Sequence, residues 1–470
     1  MITDAPTARP LPPRPHARLA RGGLLAAGLV ALLGGCATYH PLPLDKGVGA
    51  ASATQLSVPA SAMPLPELAT HRFDPADGLD VTEVAMLAVA NSPDLKVQRD
   101  ALGVARAQAF AAGLLPDPQL SFGADLPRHS ESGLTKAYSL GISQDVSALL
   151  LRSSRKRAAN AQAEQVNLDL LWAEWQTIAQ ARLLFDQVQS LRAQQAELDT
   201  ERQALAPVDK AVQAALAAGN LNYDGASAGL NAMADVRQRA TDNAVTLHQA
   251  ESDLRQLLGL APDASLDLVG APYQVDPDTT QLQAALADLP RRRPDLLALQ
   301  AGYRAQEATL RGAILAQFPA ITFGLSQARD TSNITTRGFS IGITLPLFDR
   351  NRGNIAIETA GRQQLKDDYA ARLLATRSDM QRLAADLQTL DRQQAAQAEH
   401  AQRLDAARSA AEQAWRKGLL DWPTYLAIRG NALTADMDLI MLRRVRATAA
   451  IGLGALLGRT DFVMQRTSKQ

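Results

Sequence analysis

The sequence predicts a mainly α-helical protein with a small β part, built as a duplicated helix–strand–strand–long-helix-hairpin repeat. Three observations predict this fold. Aromatic residues make up only 4% of the 470 residues, while Ala, Leu, Gln and Arg dominate long stretches, a bias typical of extended helices. Similar segments recur at a nearly fixed spacing. Within each copy, apolar residues first recur at every second position and then at every third or fourth position.

The duplication covers most of the chain. Landmarks of the first copy recur 201 residues later at its start and 199 residues later at its end: 93–95 at 294–296, 118–123 at 319–324, 138–143 at 339–344, 219 at 418, and 257–259 at 456–458. The copies are predicted at 79–260 and 294–458, separated by a mid-height belt segment at 261–293 and followed by a C-terminal tail at 459–470.

Each copy contains two segments that alternate between apolar and small or polar residues, which predicts strands at 118–126, 136–146, 319–327 and 337–347. This pattern fits a half-buried sheet or a lipid-facing barrel wall. The residues predicted to face lipid are Leu120, Phe122, Leu126, Tyr138, Leu140, Ile142, Ile321, Phe323, Phe339, Ile341 and Ile343.

Long helical hairpins follow the strands. Heptad-like spacing predicts long helices at 153–218 and 354–417, returning after glycine turns as helices at 224–259 and 422–457, so that the hairpins span 153–259 and 354–457. A helix of this length extends about 98 Å. Pro207 is expected to kink or break the first long helix.

The N-terminus predicts secretion and a lipid anchor. A basic flank and a short apolar run end at Cys36, the only cysteine in the chain, which is typical of a signal peptide at 1–35. The segment 33–36 resembles the bacterial lipobox, which implies an acylated Cys36. The alternative is an ordinary secretory signal that contains a cysteine. Residues 36–78, rich in Pro, Ala, Ser and Gly, are expected to form a tether.

No enzymatic, metal-binding or nucleic-acid-binding pattern is present. The sequence lacks a nucleophile elbow, a phosphate-binding glycine loop and a His-Glu-x-x-His motif. The six histidines are scattered, and 48 basic residues balance 48 acidic ones. The run 291–293 of three arginines could indicate lipid or nucleic acid, but a solvated face or intersubunit pairing is favoured. We expect no catalytic residues, no metal site and no cofactor.

Four strands cannot close a barrel, and lipid does not tolerate an open sheet edge. Three copies would supply twelve strands, an even number within the range of known barrels. The sequence therefore predicts a trimeric 12-stranded outer-membrane β-barrel that continues into a long periplasmic α-helical barrel.

This layout resembles the TolC-like outer-membrane efflux factors. The resemblance rests on the duplication, on the Arg-Pro-Asp-Leu segment at 293–296 and on the two glycine turns, and it covers about 80–458. The segment 345–355 is similar to the CzcC-like heavy-metal branch. The resemblance implies a homotrimer that acts as a passive exit duct for metal cations or small toxic compounds. Its partners would be outer-membrane lipid, a periplasmic adaptor and an inner-membrane pump of the resistance–nodulation–division type.

The turns between the long and returning helices are the candidate periplasmic tip and gate. Their residues are Gly219, Tyr223, Asp224, Gly418, Asp421 and Trp422. In the family an acidic ring would fall near 424 and 427, which are Thr and Ala here. The two aspartates could cap helices instead, or pair across subunits with Arg416, Lys417 or Arg429. The alternative to a duct is a lipid-anchored periplasmic coiled-coil scaffold or adaptor without a channel.

Overall fold

The computed structural model describes residues 38–44, 47, 50, 52–59, 63–128, 134–271 and 282–457. The chain divides into two units, Met1–Val48 and Gly49–Gln470. The described residues of the first unit have exposed side chains and no regular secondary structure. The predicted signal peptide, Cys36 and the C-terminal tail lie outside the described residues.

The second unit contains the duplicated arrangement. A short entry segment carries α1 (Pro66–Thr70) and α2 (Val81–Asn91). The first copy consists of α3 (Pro93–Ala112), β1 (Gln119–Asp125), β2 (Ala137–Asp145), α4 (Val146–Ala217) and α5 (Tyr223–Leu257). After α6 (Leu282–Arg292), the second copy consists of α7 (Pro294–Leu315), β3 (Ala320–Arg329), β4 (Thr335–Thr344), α8 (Arg352–Arg416) and α9 (Trp422–Leu457). The predicted order of elements is confirmed.

The four strands form one antiparallel sheet in the order β1-β2-β3-β4. The two copies therefore meet in the sheet through β2 and β3, where Ile142 lies opposite Leu325. They also meet through helices, because α7 of the second copy packs against α4 of the first as well as against α8.

Three main apolar clusters hold the helices together. One joins α2 to α4, α5 and the segment around Leu266, and includes the fully buried Phe185. A second lies where the two hairpins approach their turns and includes Tyr425. The third joins α6, α7, α8 and α9 around Met380. Burial of such side chains stabilises the fold by roughly 1.5–3 kcal/mol each.

The first long helix differs from its prediction at two places. It begins at Val146, because the Asp145 side chain accepts a hydrogen bond from the backbone N–H of Ala148 and caps the helix directly at the strand end. It also continues through Pro207, so the helix is not broken there, while the kink expected as the other outcome stays a prediction. Proline removes one backbone donor, while Leu205 and Val208 on either side are buried in the second cluster and hold the helix in place.

The predicted tether, 36–78, is not uniformly extended. Ala50 pairs with Leu260 as an isolated bridge, and Leu68 of α1 is fully buried against the first cluster. Leu79, just beyond the segment, pairs with Leu268 of the predicted belt segment. The latter part of this segment therefore packs on the first cluster, which contains the middle of α4 and the end of α5. No helix in the described ranges combines the length and apolarity needed to cross a bilayer.

Candidate functional site

One face of the sheet is apolar and exposed. The register places Leu120 opposite Ile142 and Phe122 opposite Leu140. In the second copy Ile321 lies opposite Ile343 and Phe323 opposite Ile341. All the residues predicted to face lipid are exposed, between 39% and 73%, and the register places those within strands on this face.

Leu325 belongs to this face and was not among the predicted residues. It lies opposite Ile142 on one side and Phe339 on the other, so it joins the apolar residues of the two copies. The alternation of β3 contains it, two positions beyond Phe323. The sequence signal for this residue was therefore present.

The opposite face of the sheet is built from glycine and hydroxyl residues in cross-strand pairs. These pairs are Gly123 with Ser139, Gly141 with Ser121, Gly324 with Ser340, and Gly342 with Thr322. A Cβ atom added to these glycines would lie only 2.7, 2.6, 2.6 and 2.5 Å from the opposing hydroxyl oxygen. Each hydroxyl group thus occupies the space above a glycine. One apolar face and one small, polar face are typical of a barrel wall between lipid and a water-filled lumen.

The two helical turns have the same backbone geometry. Gly219 and Gly418 have φ angles of 74° and 71°, in the left-handed region that glycine adopts without steric cost. In both turns the residue after the glycine donates a backbone hydrogen bond five residues back, Asn220 to Ala215 at 2.9 Å and Leu419 to Ala414 at 2.8 Å. This is the Schellman motif that ends a helix.

The residues that start the returning helices differ between the copies. Asp421 caps α9, since its Oδ1 accepts a 2.7 Å hydrogen bond from the Thr424 backbone N–H, and this bond lowers the pKa of the Asp421 carboxyl. In the first copy Asn222 caps α5 by accepting from the Gly225 N–H at 2.7 Å. Asp224 is exposed in the first turn of α5. Capping therefore accounts for Asp421 but not for Asp224.

The two predicted aromatic residues also differ. Tyr223 is 78% exposed. Trp422 is partly buried in the second cluster, and its ring lies against Gly229 of α5, where an added Cβ would be 3.0 Å from Cζ3. Trp422 thus packs between the two hairpins of one chain.

A buried ion pair joins the two hairpins near the turns. Arg429 of α9 donates from Nε and Nη2 to the two carboxylate oxygens of Glu201 on α4, at 2.9 and 2.6 Å. Its Nη1 also donates to the Tyr425 hydroxyl at 3.2 Å. Tyr425 is stacked on Trp415 of α8, with 4.7 Å between ring centroids. Burial would lower the pKa of Arg429, but the hydrogen bonds and charge of Glu201 raise it.

The pairing of the tip acids with the predicted cations across subunits stays a prediction, but two of these cations already have partners within one chain. Arg429 is held by Glu201, and Arg416 pairs with Glu412 along α8. Neither arginine pairs with Asp224 or Asp421 in this chain. Glu201 and Arg429 lie 228 positions apart in sequence, and no local pattern connects them, so sequence reasoning missed the pair.

Comparison with known proteins agrees with this architecture. The outer membrane efflux protein family model matches residues 282–459. The pyoverdine export outer membrane protein OpmQ of Pseudomonas aeruginosa is 24% identical over 466 residues, which cover 91% of this chain and 94% of that protein. The multidrug resistance outer membrane protein MdtP of Shigella flexneri is 28% identical over 389 residues, covering 77% of this chain and 76% of that protein.

The fold is similar to that of the outer-membrane channel OprN, with a TM-score of 0.68 and 15% identity over 90% of this chain and 99% of OprN. The likeness to these relatives runs through both copies of the repeat. This chain is therefore similar to outer-membrane efflux proteins, in line with its resemblance to the TolC-like family. The comparisons indicate an outer-membrane efflux channel component rather than an enzyme.

The predicted site residues of this TolC-like chain form two groups on different elements. The residues predicted to face lipid, apart from Leu126 beyond β1, lie on one face of the sheet, and the predicted tip residues lie at the two turns. Within the described ranges, no three His, Cys, Asp or Glu side chains are grouped so that they could hold a metal ion.

Proposed function

We propose that three copies of this chain close one twelve-stranded barrel in the outer membrane and form a passive exit duct. The observation that carries the proposal is the four-stranded sheet, whose apolar face is exposed along all four strands. The order of this sheet leaves β1 and β4 as edge strands. Because lipid cannot satisfy the backbone groups of an open edge, these strands require partners from further copies.

The long helices would extend this duct into the periplasm. Helix α4 has 72 residues and α8 has 65, which correspond to about 108 and 98 Å. Helix α4 starts directly after β2, and α8 starts after a short connection, 345–351, from β4. In each chain, α3 and α5 would lie beside α4, and α7 and α9 would lie beside α8, which makes four helical columns. These columns would form a helical barrel beneath the strands.

The proposed cargo is small toxic compounds or metal cations. The names of the relatives refer to pyoverdine and to multiple drugs, which supports small organic compounds. The segment 345–355, similar to the CzcC-like branch, supports metal cations. The inner-membrane partner we propose is a pump of the resistance–nodulation–division type, joined to the duct by a periplasmic adaptor.

Deletion of the chain tests this function. The deletion strain should become sensitive to part of a panel of metals, drugs and dyes, and the wild-type chain should restore resistance. Leu140→Arg, on the apolar face, should fail to restore it because a cation at the bilayer midplane costs about 2–4 kcal/mol. Ser143→Arg, on the opposite face, is the matched control and should restore it. Equal restoration by both variants would contradict a lipid-facing sheet.

The lipid anchor is proposed at Cys36, the single cysteine after the short apolar run. Labelled palmitate should enter the wild-type protein and not Cys36→Ala. Label in the Cys36→Ala variant would show that the cysteine is not the acylated residue. We expect membrane insertion to survive this substitution, because the lipid-facing strands hold the protein independently.

The turns are proposed to control passage through the duct. Trp422 contacts Gly229 across the hairpins, and Asp421 fixes the start of α9. Loss of either contact would loosen the position of α9 against α5. Planar-bilayer conductance should therefore be low for the wild type and raised for Asp421→Ala, Trp422→Ala and the double variant. Unchanged conductance in all three, with the oligomer intact, would restrict these residues to capping and packing.

A further inference from the structure

A ring of exposed apolar side chains lies where the helices meet the sheet. Each of the four connections contributes: Leu114 and Leu115 precede β1, Leu150 follows β2, Phe318 precedes β3, and Leu347 and Phe348 follow β4. All six are at least 56% exposed, and Phe348 is 89% exposed. We call these six residues the apolar collar.

The apolar collar extends the lipid-facing surface toward the helices. On β4 the alternation Phe339, Ile341 and Ile343 continues through Leu345, which is also exposed, although the paired strand ends at Thr344. The apolar surface is therefore longer than the hydrogen-bonded sheet. A collar at this position lies at the edge of the hydrocarbon layer on the helical side.

Exposed basic side chains follow the apolar collar along the chain, in the early turns of α4 and around the start of α8. Arg155, Lys156 and Arg157 are exposed in the early turns of α4, and Arg350 and Arg352 are exposed at the start of α8. Within the described ranges none of these five side chains is in an ion pair, although Arg157 donates to Ser153 and Arg352 donates to the carbonyls of Phe348 and Asp349. The residues 146–163 contain no aspartate or glutamate. The acids that precede these cations most closely in the sequence are Asp145, which caps α4, and Asp349, which follows Phe348.

The spacing on α4 places the cations beneath the collar on one helix face. Arg157 follows Leu150 by seven residues and Lys156 follows Leu149 by seven, so each cation shares a face with an exposed leucine. Seven residues of helix advance about 10 Å. The polar interface on each side of a bilayer is about 5–8 Å thick, and long basic side chains extend to reach headgroups.

We propose that the apolar collar and its cations bind anionic phospholipid headgroups of the periplasmic leaflet. The collar inserts among acyl chains, while the five cations meet the phosphates. This inference rests on the proposed function, because it requires the sheet to be inserted in a bilayer. Charge complementarity and continuity with the lipid-facing sheet favour a lipid surface over a second copy of the chain as the occupant.

The test compares lipid retention by the full-length protein in native mass spectrometry. The oligomer is titrated in detergent with phosphatidylglycerol, with phosphatidylcholine or with inorganic phosphate. The variant Arg155→Gln/Lys156→Gln/Arg157→Gln is compared with the matched control Lys210→Gln/Arg392→Gln/Lys417→Gln, whose cations are exposed elsewhere on the helices.

The wild type and the control should prefer phosphatidylglycerol. The Arg155→Gln/Lys156→Gln/Arg157→Gln variant should bind it at least about tenfold more weakly, since three cations that attract anionic headgroups are removed. Equal binding by all three proteins, or no preference over phosphatidylcholine, would overturn the proposal. Competition by inorganic phosphate at matched concentration would also overturn it, since it would indicate a simple anion site.

A second measurement separates this inference from the function on which it rests. Flotation with vesicles of phosphatidylcholine alone reports insertion of the sheet without anionic lipid. A protein that floats but shows no phosphatidylglycerol preference contradicts only the headgroup proposal. A protein that does not float with any vesicle contradicts both.

Discussion

Arg429 and Glu201 form an almost fully buried ion pair between the hairpins, and Glu412 is a second, more distant counter-ion at 3.8 Å from Arg429 Nη1. Replacement of Glu201 removes both short hydrogen bonds to the buried Arg429 and leaves it only the more distant Glu412. The loss of one partner from a buried pair typically destabilises a protein by 3–5 kcal/mol.

We therefore predict that Glu201→Ala lowers the thermal midpoint of the helical signal strongly. The matched control is Glu399→Ala, which removes an exposed pair with Arg403 on the same type of helix and should cost at most about 0.5 kcal/mol. The double variant Glu201→Leu/Arg429→Met should be less destabilised than Glu201→Ala. Equal midpoints for Glu201→Ala and Glu399→Ala would show that the buried pair contributes nothing.

Asp186 is a second buried acid, 2% exposed on α4. Burial raises the pKa of its carboxyl to about 6, although the charge of Arg444 on α9 opposes the shift. The folded chain therefore holds a proton that the unfolded chain releases near pH 4. As the pH rises from about 4 to 6, the unfolded state gains stability relative to the folded state.

Asp186→Asn should accordingly stabilise the protein at pH 7.5, by about 1–3 kcal/mol, and should make no difference below pH 4. Thermal unfolding of both proteins from pH 4 to 8 measures this. A variant that is less stable than the wild type at pH 7.5 would contradict this. It would indicate that the attraction between ionised Asp186 and Arg444 exceeds the cost of burying the charged carboxylate.

At the residue scale, the sequence identified groups with local signals and missed those that depend on distant contacts. Capping of α9 by Asp421 was one of two interpretations, since an acid after a glycine turn is a local pattern. The equivalent cap in the first copy is Asn222, two positions before the predicted Asp224. The contact of Trp422 with Gly229 depends on how the hairpins pack, which no local pattern encodes.

Elements were predicted well wherever one periodicity continued without interruption. The strands begin and end within three residues of their predicted bounds, because alternation marks the exposed apolar face of the sheet. The start of α4 was placed seven residues too late. Its first turns contain Leu149, Leu150 and Leu151 in succession, which do not show a single helical face because this region is exposed to the proposed lipid interface.

Pro207 supplies a prediction at the element scale. It is exposed within a continuous helix, so its replacement changes the backbone and little packing. Pro207→Ala should restore a hydrogen bond to residue 203 and stabilise the hairpin by about 1–3 kcal/mol, up to the difference in helix propensity. The control is Ala206→Ser at the neighbouring exposed position, which should change stability by less than about 0.5 kcal/mol. A lower thermal midpoint for Pro207→Ala would mean that the proline geometry is required by the packing of α5 and α9.

At the scale of the whole molecule, the repeat predicted two equivalent units, while their mutual packing could not be predicted. The Arg293–Asp295 pair shows why the copies are not interchangeable. Both side chains are buried, and the Arg293 guanidinium lies 4.5 Å from the centroid of the Trp172 ring on α4. The equivalent position in the first copy is Ser92, followed by an exposed Asp94. The contact of Arg293 with Trp172 thus joins the two copies, and the second copy supplies its arginine.

The number of copies in the assembly tests the central claim most directly, since a sheet of four strands closes only with strands from other chains. Native mass spectrometry of the full-length protein in detergent should give three copies, with infrared absorption showing that the strands are intact. A stable monomer that retains its strand signal would contradict both the barrel and the duct.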